Sequence, residues 1–555
     1  MATRSEHRIE KTEARSTGAM ITAEHPLAAE VGAAILRDGG NAVDAAVAAA
    51  FAMGVVEPTT SGLGGVAWCV IREPDGTVTT IDGAGAAPVR ATPDMYELQT
   101  AGASGMYGWP LTKGDAQNVG YRSVGRMGAV ACLCHALERY GTLDRATVMR
   151  GAIALAADGW DADWSVTLAL GLYWDRLAPI DASRAIFFRP SGAPLRAATG
   201  FEAGDRLVQR DLAESLRAIA TSGPEAFYGG ELGRQIAKDV GTHGGLLSED
   251  DFEPFEVRER PPLAIDYRGL QLRTLPGASG AITTVEMLRI LEGFELSKTE
   301  ALSPMALHLM AEAQRRAFAD RFTYLADEGV VGGAIYERLA SADHAAAARA
   351  SIDPGRATND IAPTSVPASS DCTTHVNVVD RDGRMVSLTT TLGGAFGSGV
   401  VAAGTGIMLG NVMTWFDPRP GHPNSISGGK RILSAIAPML LLRDGAPYIC
   451  TGAPGGRRIM SAMLHVVTNL VDWGLPPQQA VNAWRTHCEG PDLLVDMRIP
   501  QATRDALAAM GHHVVPRVET FASSHFARPS AIVVSGAQMR AGVGALKSST
   551  AIGVD

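Results

Sequence analysis

The chain has 555 residues, of which 46% are hydrophobic and 19% charged, a balance that supports several folded domains and excludes intrinsic disorder. The formal net charge of -10 comes from dispersed residues, without the basic block that would indicate a nucleic-acid partner. The six cysteines form no CxxC pair and have no histidine at zinc spacing, so we expect no metal, no cofactor and no disulfide framework.

Neither a membrane span nor an export signal is predicted. The longest apolar stretch near the N-terminus, Ala45–Val56, is too short to cross a bilayer and contains Gly54. The first twenty residues mix both charges, whereas an export signal needs a basic start and an apolar core. We therefore expect no membrane partner and a cytoplasmic protein, an expectation that leaves export open.

The N-terminal region is predicted to form two helices and then strands. His25–Arg37 carries an apolar face and is stopped by Gly39-Gly40. Asn41 is the expected N-cap of a second helix, Ala42–Val55, which is apolar on nearly every side and therefore buried. The strands that follow, separated by a turn at Asp75-Gly76, are Val66–Ile71 and Thr77–Ile81.

The middle of the chain is predicted to be mainly helical, and the C-terminal part contains hairpins. Helical periodicity is clear in Thr283–Leu296 and Met305–Leu325. The second half of 342–372 is rich in proline and serine and indicates a weakly structured linker. The predicted hairpins pair His375–Val379 with Met385–Leu392, and Met439–Leu442 with Tyr448–Thr451. A glycine-rich turn and a helix from about Arg458 to Trp473 follow the second hairpin.

The end of the linker carries the most informative chemistry. If the chain were cut between Cys372 and Thr373, Thr373 would supply both a hydroxyl nucleophile and a free α-amine. An α-amine has a pKa of about 7.7–8, so near neutral pH it can accept the proton of its own hydroxyl. The cut itself needs no protease, because the Thr373 hydroxyl can attack the Cys372 carbonyl and leave an ester for water to hydrolyse. Taken alone, the triplet at 373–375 strongly favours the plainer interpretation, in which β-branched residues simply begin a strand.

The glycine-rich turn after the second hairpin is the second candidate element. Gly455 and Gly456 can present backbone N–H groups to a developing oxyanion, aided by the N-terminus of the next helix. The turn lacks the lysine and hydroxyl residue of a phosphate-binding loop, so it does not indicate nucleotide binding. An ordinary strand-to-helix turn is the alternative interpretation.

Motifs spread in order over roughly residues 20 to 535 resemble the γ-glutamyltransferase family of N-terminal-nucleophile hydrolases. They are Glu24–Ala28, Gly39–Ala46, Gly54–Pro58, Ser61–Gly65, Pro276–Ile282, Thr373–His375, Phe396–Gly399, Gly429–Arg431, and Thr451–Gly456 with Arg458. The resemblance implies an α/β fold, a four-layer αββα sandwich, and a proenzyme that cleaves itself. It implies a large fragment, 1–372, and a small fragment, 373–555, that together form a heterodimer, and it allows two heterodimers to associate.

By this resemblance the catalytic residues are present. Thr373 matches the nucleophile, and Thr391 on the paired strand matches the threonine that supports the nucleophile's amine. Gly455 and Gly456 match the oxyanion hole, and Ser434 matches the first of two serines in the substrate pocket.

The family's glutamyl-binding residues, in contrast, are replaced. Ala84 stands where the family has the arginine that grips the α-carboxylate, and the other departures are Gly393, Val412, Trp415 and Ala435. Each lost charge-assisted contact costs about 1.5–3 kcal/mol. The resemblance with these departures predicts a pocket for an uncharged acyl group, lined by Val412 and Trp415.

The segment Asp417–Gly429 is short for a family whose members can carry a lid there. We expect an open cleft that favours hydrolysis over transfer to an amine. Arg419, Arg431 and Arg457 are nearby cations, each more typical of a solvated surface residue than of a carboxylate grip.

The sequence therefore predicts an amidase or acylase that acts on a small-molecule amide through an acyl-enzyme on Thr373. The first alternative is a γ-glutamyl hydrolase or transferase acting on glutathione or γ-glutamyl amides. The second is an uncleaved, inactive binding protein. A nucleotide-dependent α/β enzyme is the weakest alternative, because no glycine cluster has GxGxxG spacing.

Overall fold

A computed structural model of the protein describes residues 9–99, 109–252, 255–359, 361 and 371–555. The strands are β1 (Ala14–Ser16), β2 (Ala19–Ala23), β3 (Val66–Arg72), β4 (Val78–Gly83), β5 (Trp160–Asp161), β6 (Arg206–Leu207), β7 (Arg258–Arg260), β8 (Leu263–Tyr267), β9 (Leu270–Thr274), β10 (Asp371–Val379), β11 (Met385–Gly394), β12 (Val401–Ala402), β13 (Ile407–Met408), β14 (Met439–Arg443), β15 (Ala446–Gly452), β16 (Thr486–His487), β17 (Asp492–Asp496), β18 (His513–Arg517), β19 (Ser530–Ser535), β20 (Gln538–Val543) and β21 (Thr550–Val554).

The helices are α1 (Pro26–Arg37), α2 (Ala42–Val56), α3 (Ala129–Tyr140), α4 (Arg145–Asp158), α5 (Trp164–Leu172), α6 (Trp174–Leu177), α7 (Asp181–Phe187), α8 (Arg210–Ser222), α9 (Glu225–Tyr228), α10 (Glu231–Thr242), α11 (Ala281–Glu292), α12 (Pro304–Tyr324), α13 (Glu328–Val331), α14 (Gly333–Leu339), α15 (Ala342–Ala350), α16 (Arg458–Val471), α17 (Pro477–Asn482) and α18 (Gln501–Ala509). In the part of the chain described, no helix is long and apolar enough to cross a membrane.

Two antiparallel sheets of seven strands each form the centre of the described chain. The strand order is β21-β2-β10-β11-β3-β4-β7 in the first sheet and β1-β20-β19-β15-β14-β9-β8 in the second. β10 and β11 of the first sheet pack against β15 of the second. The junction at residue 373 therefore lies in the interior, where the two sheets meet.

Helices cover the outer face of both sheets. α1, α2 and α3 pack on the first sheet, and α11, α16 and α17 pack on the second. Each helical layer shares a large buried apolar cluster with the sheet beneath it. The four layers confirm the αββα sandwich that the sequence predicts.

The buried helix α2 shows how the sequence sets the local structure. The Asn41 side chain accepts hydrogen bonds from the N–H groups of Val43 and Asp44 at 2.8 and 3.0 Å. The Asp44 carboxylate in turn accepts from the N–H of Asn41 at 2.8 Å, which completes a capping box. This cap satisfies the free N–H groups of a helix end that has no access to water.

The principal predicted helices and hairpins are confirmed to within a few residues. The larger difference concerns the start of β10, which begins at Asp371 and not at His375. In the intact chain Cys372 already pairs with Gly393, so the strand extends past the cleavage junction. Of the predicted linker, residues 360 and 362–370 lie outside the described part of the chain.

Candidate active site

Thr373 lies at an irregularity in the central hairpin. Cys372 pairs with Gly393 and Thr374 with Thr390, so β11 has one residue more than β10 across this step. Such a bulge bends the strand and redirects a side chain. It places the buried Thr373 hydroxyl beside Thr391, with 3.3 Å between the two Oγ1 atoms.

The Thr391 hydroxyl joins the nucleophile to the bond that must be cut. It donates its proton to the carbonyl oxygen of Cys372 at 2.7 Å. It accepts from the Thr373 hydroxyl and from the N–H of Gly393, the latter at 2.9 Å. One donated and two accepted bonds use the full capacity of a hydroxyl group.

This arrangement can cleave the chain without a charged base. Attack of Thr373 Oγ1 on the Cys372 carbonyl carbon forms a C–O bond and places negative charge on the carbonyl oxygen. Thr391 can give its proton to that oxygen while it takes the proton of the Thr373 hydroxyl. The C–N bond then breaks, the freed amine takes a proton, and water hydrolyses the ester between Cys372 and Thr373.

His375 is the histidine nearest to Thr373 along the chain, and its surroundings do not fit it for proton transfer. Burial lowers the pKa of His375 to about 4, so the ring is neutral near pH 7. Its Nδ1 lies 2.8 Å from the Thr389 hydroxyl and its Nε2 lies 2.9 Å from Asn377 Oδ1. Both nitrogens are thus occupied within the sheet, so this ring is not placed to take the proton of the Thr373 hydroxyl.

The glycine turn follows β15 directly and precedes α16. Gly455 and Gly456 have φ angles of 143° and 54°, a region in which residues with side chains are strained. A Cβ atom on Gly455 would also lie 2.5 Å from the Cβ of Ala527. Glycine is therefore required there, as expected for a turn whose backbone N–H groups approach a ligand.

A small cavity borders this turn and contains part of the predicted pocket. Its volume is about 30 Å³, enough for one or two water molecules. It is lined by Trp109, Arg321, Phe322, Leu325, Trp415, Asn424, Leu433, Ala435 and Arg457. The structure thus brings Trp415 and Ala435 together, next to the residue that follows Gly456. Trp109, Phe322, Leu325, Asn424 and Leu433 were missed, because only the tertiary fold brings them to this wall.

The other predicted pocket residues, Ala84, Gly393, Val412 and Ser434, are not among the residues that line this cavity. The Trp415 ring lies 3.2 Å from the point where a Cβ on Gly393 would stand, so a larger residue at 393 would collide with it. Ala84 and Val412 belong to the same buried apolar cluster as Trp415. Ser434 is fully buried, and its hydroxyl has no hydrogen-bond partner in the described structure.

The arginines near the pocket make ion pairs with acidic residues of the protein. Arg419 pairs with Asp417 at 2.7 Å and Arg431 with Asp82 at 3.0 Å. Arg457 makes two hydrogen bonds to the buried Glu489, at 2.7 and 2.8 Å. Burial alone would raise the pKa of Glu489, but Arg457 and His487 hold it well below its usual range.

The short segment 417–429 contacts the cavity through Asn424, which belongs to its lining. Asn424 donates to the Trp415 carbonyl at 2.7 Å, and Lys430 Nζ donates to the Ser425 carbonyl at 2.7 Å. These bonds fix the segment beside the cavity wall, and the open cleft stays a prediction.

A buried ionic cluster near the junction was not foreseen. Glu57 accepts a hydrogen bond from the Thr60 hydroxyl at 2.9 Å, and the Thr60 carbonyl accepts from Leu392 N in the segment that carries Thr391. Burial, together with the charge of Glu24, raises the pKa of Glu57 to about 7. The chain positions of these acids, more than 300 residues before β11, give no sign of this contact.

The four-layer αββα fold is that of the N-terminal-nucleophile hydrolases, and it places Thr373 and Thr391 side by side at the strand junction. The chain belongs to the gamma-glutamyltranspeptidase family, whose model matches residues 28–554. It is therefore an enzyme of a family of hydrolases and transpeptidases.

Similar proteins include acylases as well as glutathione hydrolases. The chain is 39% identical over 513 residues to the acylase ACY 1 proenzyme of Pseudomonas sp. strain SE83, covering 92% of this chain and 90% of that protein. It is 37% identical over 517 residues to the glutathione hydrolase proenzyme of Escherichia coli K12, covering 90% and 86%. Among solved structures, the cephalosporin acylase from Bacillus halodurans has a TM-score of 0.87 at 27% identity, covering 100% of this chain and 99% of that one.

Proposed function

We propose that this enzyme cleaves itself before Thr373 and then hydrolyses amides whose acyl group is uncharged at the position where the family binds a glutamyl head. The observation that carries the proposal is the Thr391 hydroxyl, which contacts both the Thr373 hydroxyl and the Cys372 carbonyl. The fragments 1–372 and 373–555 would stay together, because β10 and β11 of the small fragment are paired with β2 and β3 of the large one.

The same residues would serve turnover after cleavage. The new α-amine of Thr373 would take the proton of the Thr373 hydroxyl as this attacks the substrate carbonyl. The N–H groups of Gly455 and Gly456 would stabilise the oxyanion. The leaving amine would depart with a proton, and water would release the acyl group from Thr373.

The composition of the cavity supports an apolar acyl group. Trp415, Phe322 and Leu433 supply apolar walls, and Ala435 contributes only a methyl group. Two cations line the cavity: Arg457 is paired with Glu489, and Arg321 donates to the carbonyls of Ser279 and Ser434. A zwitterionic head would lose its hydration there without a matching set of charges, whereas an apolar group would gain from burial.

The 30 Å³ cavity is too small for such a group, so the proposal requires a local opening. The aromatic side chains and the segment 417–429 would have to shift when substrate binds. Departure of Cys372 from beside Thr373 would vacate further space.

The γ-glutamyl hydrolase or transferase is retained as a second candidate. Its support is the 37% identity to a protein named glutathione hydrolase and the unpartnered, buried hydroxyl of Ser434 beside the cavity. A hydroxyl without a partner is available to a substrate amine or carboxylate.

Mass spectrometry of the purified protein incubated with two p-nitroanilides, phenylacetyl and γ-glutamyl, tests both candidates. We expect the small fragment to begin at Thr373 and to gain the mass of a phenylacetyl group, with release of p-nitroaniline. Thr373→Ala should remain a single chain without adduct or turnover. Efficient turnover of the γ-glutamyl substrate alone would refute the apolar pocket, and an intact, inactive wild-type chain would favour a binding protein.

A further inference from the structure

Three side chains from separate helices meet on the far side of the second sheet. Glu286 lies on α11, Asp320 on α12 and His344 on α15. His344 Nε2 is 3.0 Å from Glu286 Oε1 and 2.9 Å from Asp320 Oδ2. One imidazole nitrogen thus faces two carboxylate oxygens at once.

The group combines a buried interior with access from solvent. The Glu286 side chain is 1% exposed, while those of Asp320 and His344 are 24% and 20% exposed. Glu286 Oε2 is the other oxygen of the carboxylate whose Oε1 contacts His344. It is buried and has no hydrogen-bond partner in the described structure. A buried carboxylate oxygen without a donor is costly, and a cation held by both oxygens of Glu286 would remove that cost.

A second cluster of similar composition lacks this property. Glu312 lies with His308 and His512, but its carboxylate is bonded to Arg316 at 2.7 Å and to the Thr358 N–H at 3.1 Å. Its negative charge is therefore already matched within the protein. The Glu286 group combines two carboxylates with a single imidazole and leaves one buried oxygen unsatisfied.

We infer that Glu286, Asp320 and His344 bind a divalent first-row transition-metal ion such as Zn²⁺. Two carboxylate oxygens and an imidazole nitrogen are suitable ligands for such an ion. The two carboxylates also supply the charge that neutralises it, and binding displaces to solvent the proton that His344 Nε2 shares with them. Three protein ligands leave a further position for water, and the partial exposure of His344 and Asp320 gives the ion a way in.

The present spacing requires only a small adjustment. A tetrahedral ion with bonds of about 2.1 Å separates its ligand atoms by about 3.4 Å. His344 Nε2 would therefore move away from the two oxygens by about 0.5 Å, less than a change of rotamer. The bound ion would crosslink α15 to α11 and α12. α15 is the last helix described before the cleavage junction.

The sequence predicts no metal, because the three ligands show no short spacing. Glu286 and His344 are 58 residues apart, with the whole of α12, α13 and α14 between them, and nothing in a linear pattern indicates that they meet. None of the three ligands lines the acyl cavity, although Asp320 precedes Arg321 and Phe322 of that lining on α12. Retention of a metal ion can therefore be measured separately from cleavage and turnover, which test the proposed function.

The full chain, stripped with a chelator and freed of any affinity tag, would be equilibrated with Co²⁺, Zn²⁺ or Mn²⁺ alone and then desalted. We expect about one bound ion per chain by elemental mass spectrometry, and visible absorption from Co²⁺ bound to protein. Zn²⁺ should raise the melting temperature of the wild-type protein.

The variants Glu286→Gln and His344→Gln should each weaken binding at least tenfold and abolish the zinc-dependent rise in melting temperature. Should either fail to fold, Asp320→Asn at the more exposed ligand tests the same point. His135→Gln is the matched control, because it removes an imidazole that faces one carboxylate and not two, with 2.6 Å between His135 Nε2 and Glu259 Oε2. Failure of the wild type to retain any of the three ions, or equal binding by all variants, would overturn the assignment.

Discussion

Replacing Thr391 by valine should nearly stop maturation while the fold is retained. Valine keeps the shape of threonine but removes the hydroxyl that donates to the Cys372 carbonyl at 2.7 Å. The Thr373 hydroxyl and the Gly393 N–H lose their acceptor in the same step. All of these groups lie in the buried hairpin.

The size of the effect follows from the lost donor. Removing one donor to a developing oxyanion typically costs about 3–4 kcal/mol, which corresponds to a rate lower by roughly 10²–10³. Loss of the two hydrogen bonds that Thr391 accepts, from the Thr373 hydroxyl and the Gly393 N–H, also lowers the stability of the fold. The cost is about 1–3 kcal/mol for each donor left unsatisfied. We therefore expect cleavage of Thr391→Val to be slower than that of the wild type by about two to three orders of magnitude.

A time course on denaturing gels measures this rate as the conversion of the intact chain into fragments 1–372 and 373–555. Thr391→Ser retains the hydroxyl and should mature within about tenfold of the wild-type rate. Thr389→Val is the control for nonspecific disruption of β11. It removes a hydroxyl from the same strand, but that hydroxyl contacts His375 Nδ1 at 2.8 Å and does not contact the cleavage junction. Wild-type maturation of Thr391→Val, or equal slowing in Thr389→Val, would refute the proton path through Thr391.

Two further predictions concern the turn and the buried acids. Gly455→Ala should lose most turnover, because its Cβ would lie 2.5 Å from the Ala527 Cβ at a φ of 143°. An assay of amide turnover checks this, with Gly474→Ala, at a site with open space, as the control. Full activity of Gly455→Ala would contradict the assigned oxyanion hole. Glu57 has a folded-state pKa of about 7 against an ordinary 4.5, so its protonated form stabilises the fold below pH 4.5 and this contribution is lost as pH rises through 7. Glu57→Gln should therefore melt higher than wild type at pH 8.5, with a smaller difference at pH 5; a pH-independent difference would show that Glu57 is ionised throughout.

Local patterns predict the elements of this fold because the energies that form them are local. Asn41 and Asp44 cap α2 through contacts three residues apart, and the turn at 381–383 closes the hairpin that contains Thr373. Such contacts are visible in any linear pattern. Local contacts do not predict the αββα arrangement. That prediction depended on the order of the family's motifs over most of the chain.

The shape of the site could not be predicted from the same signals. The bulge opposite Thr373 depends on the register between β10 and β11, which alternation alone does not fix to one residue. The cavity joins Trp109, Phe322 and Asn424, which are distant along the chain, and Asn424 is held beside Trp415 by a hydrogen bond to its carbonyl. Sequence identifies the replaced residues, such as Ala435, but not the aromatic side chains that fill the space they leave.

The position of Thr391 links the proposed self-cleavage of the chain to the proposed turnover of substrate. In the intact chain its proton is held by the Cys372 carbonyl, an acceptor that departs with the large fragment's new C-terminus. The hydroxyl is then free to contact the α-amine that the same cleavage creates on Thr373. A substitution at 391 must therefore affect maturation and turnover together, whereas one in the cavity wall, such as Trp415→Ala, should alter turnover and leave the rate of cleavage unchanged.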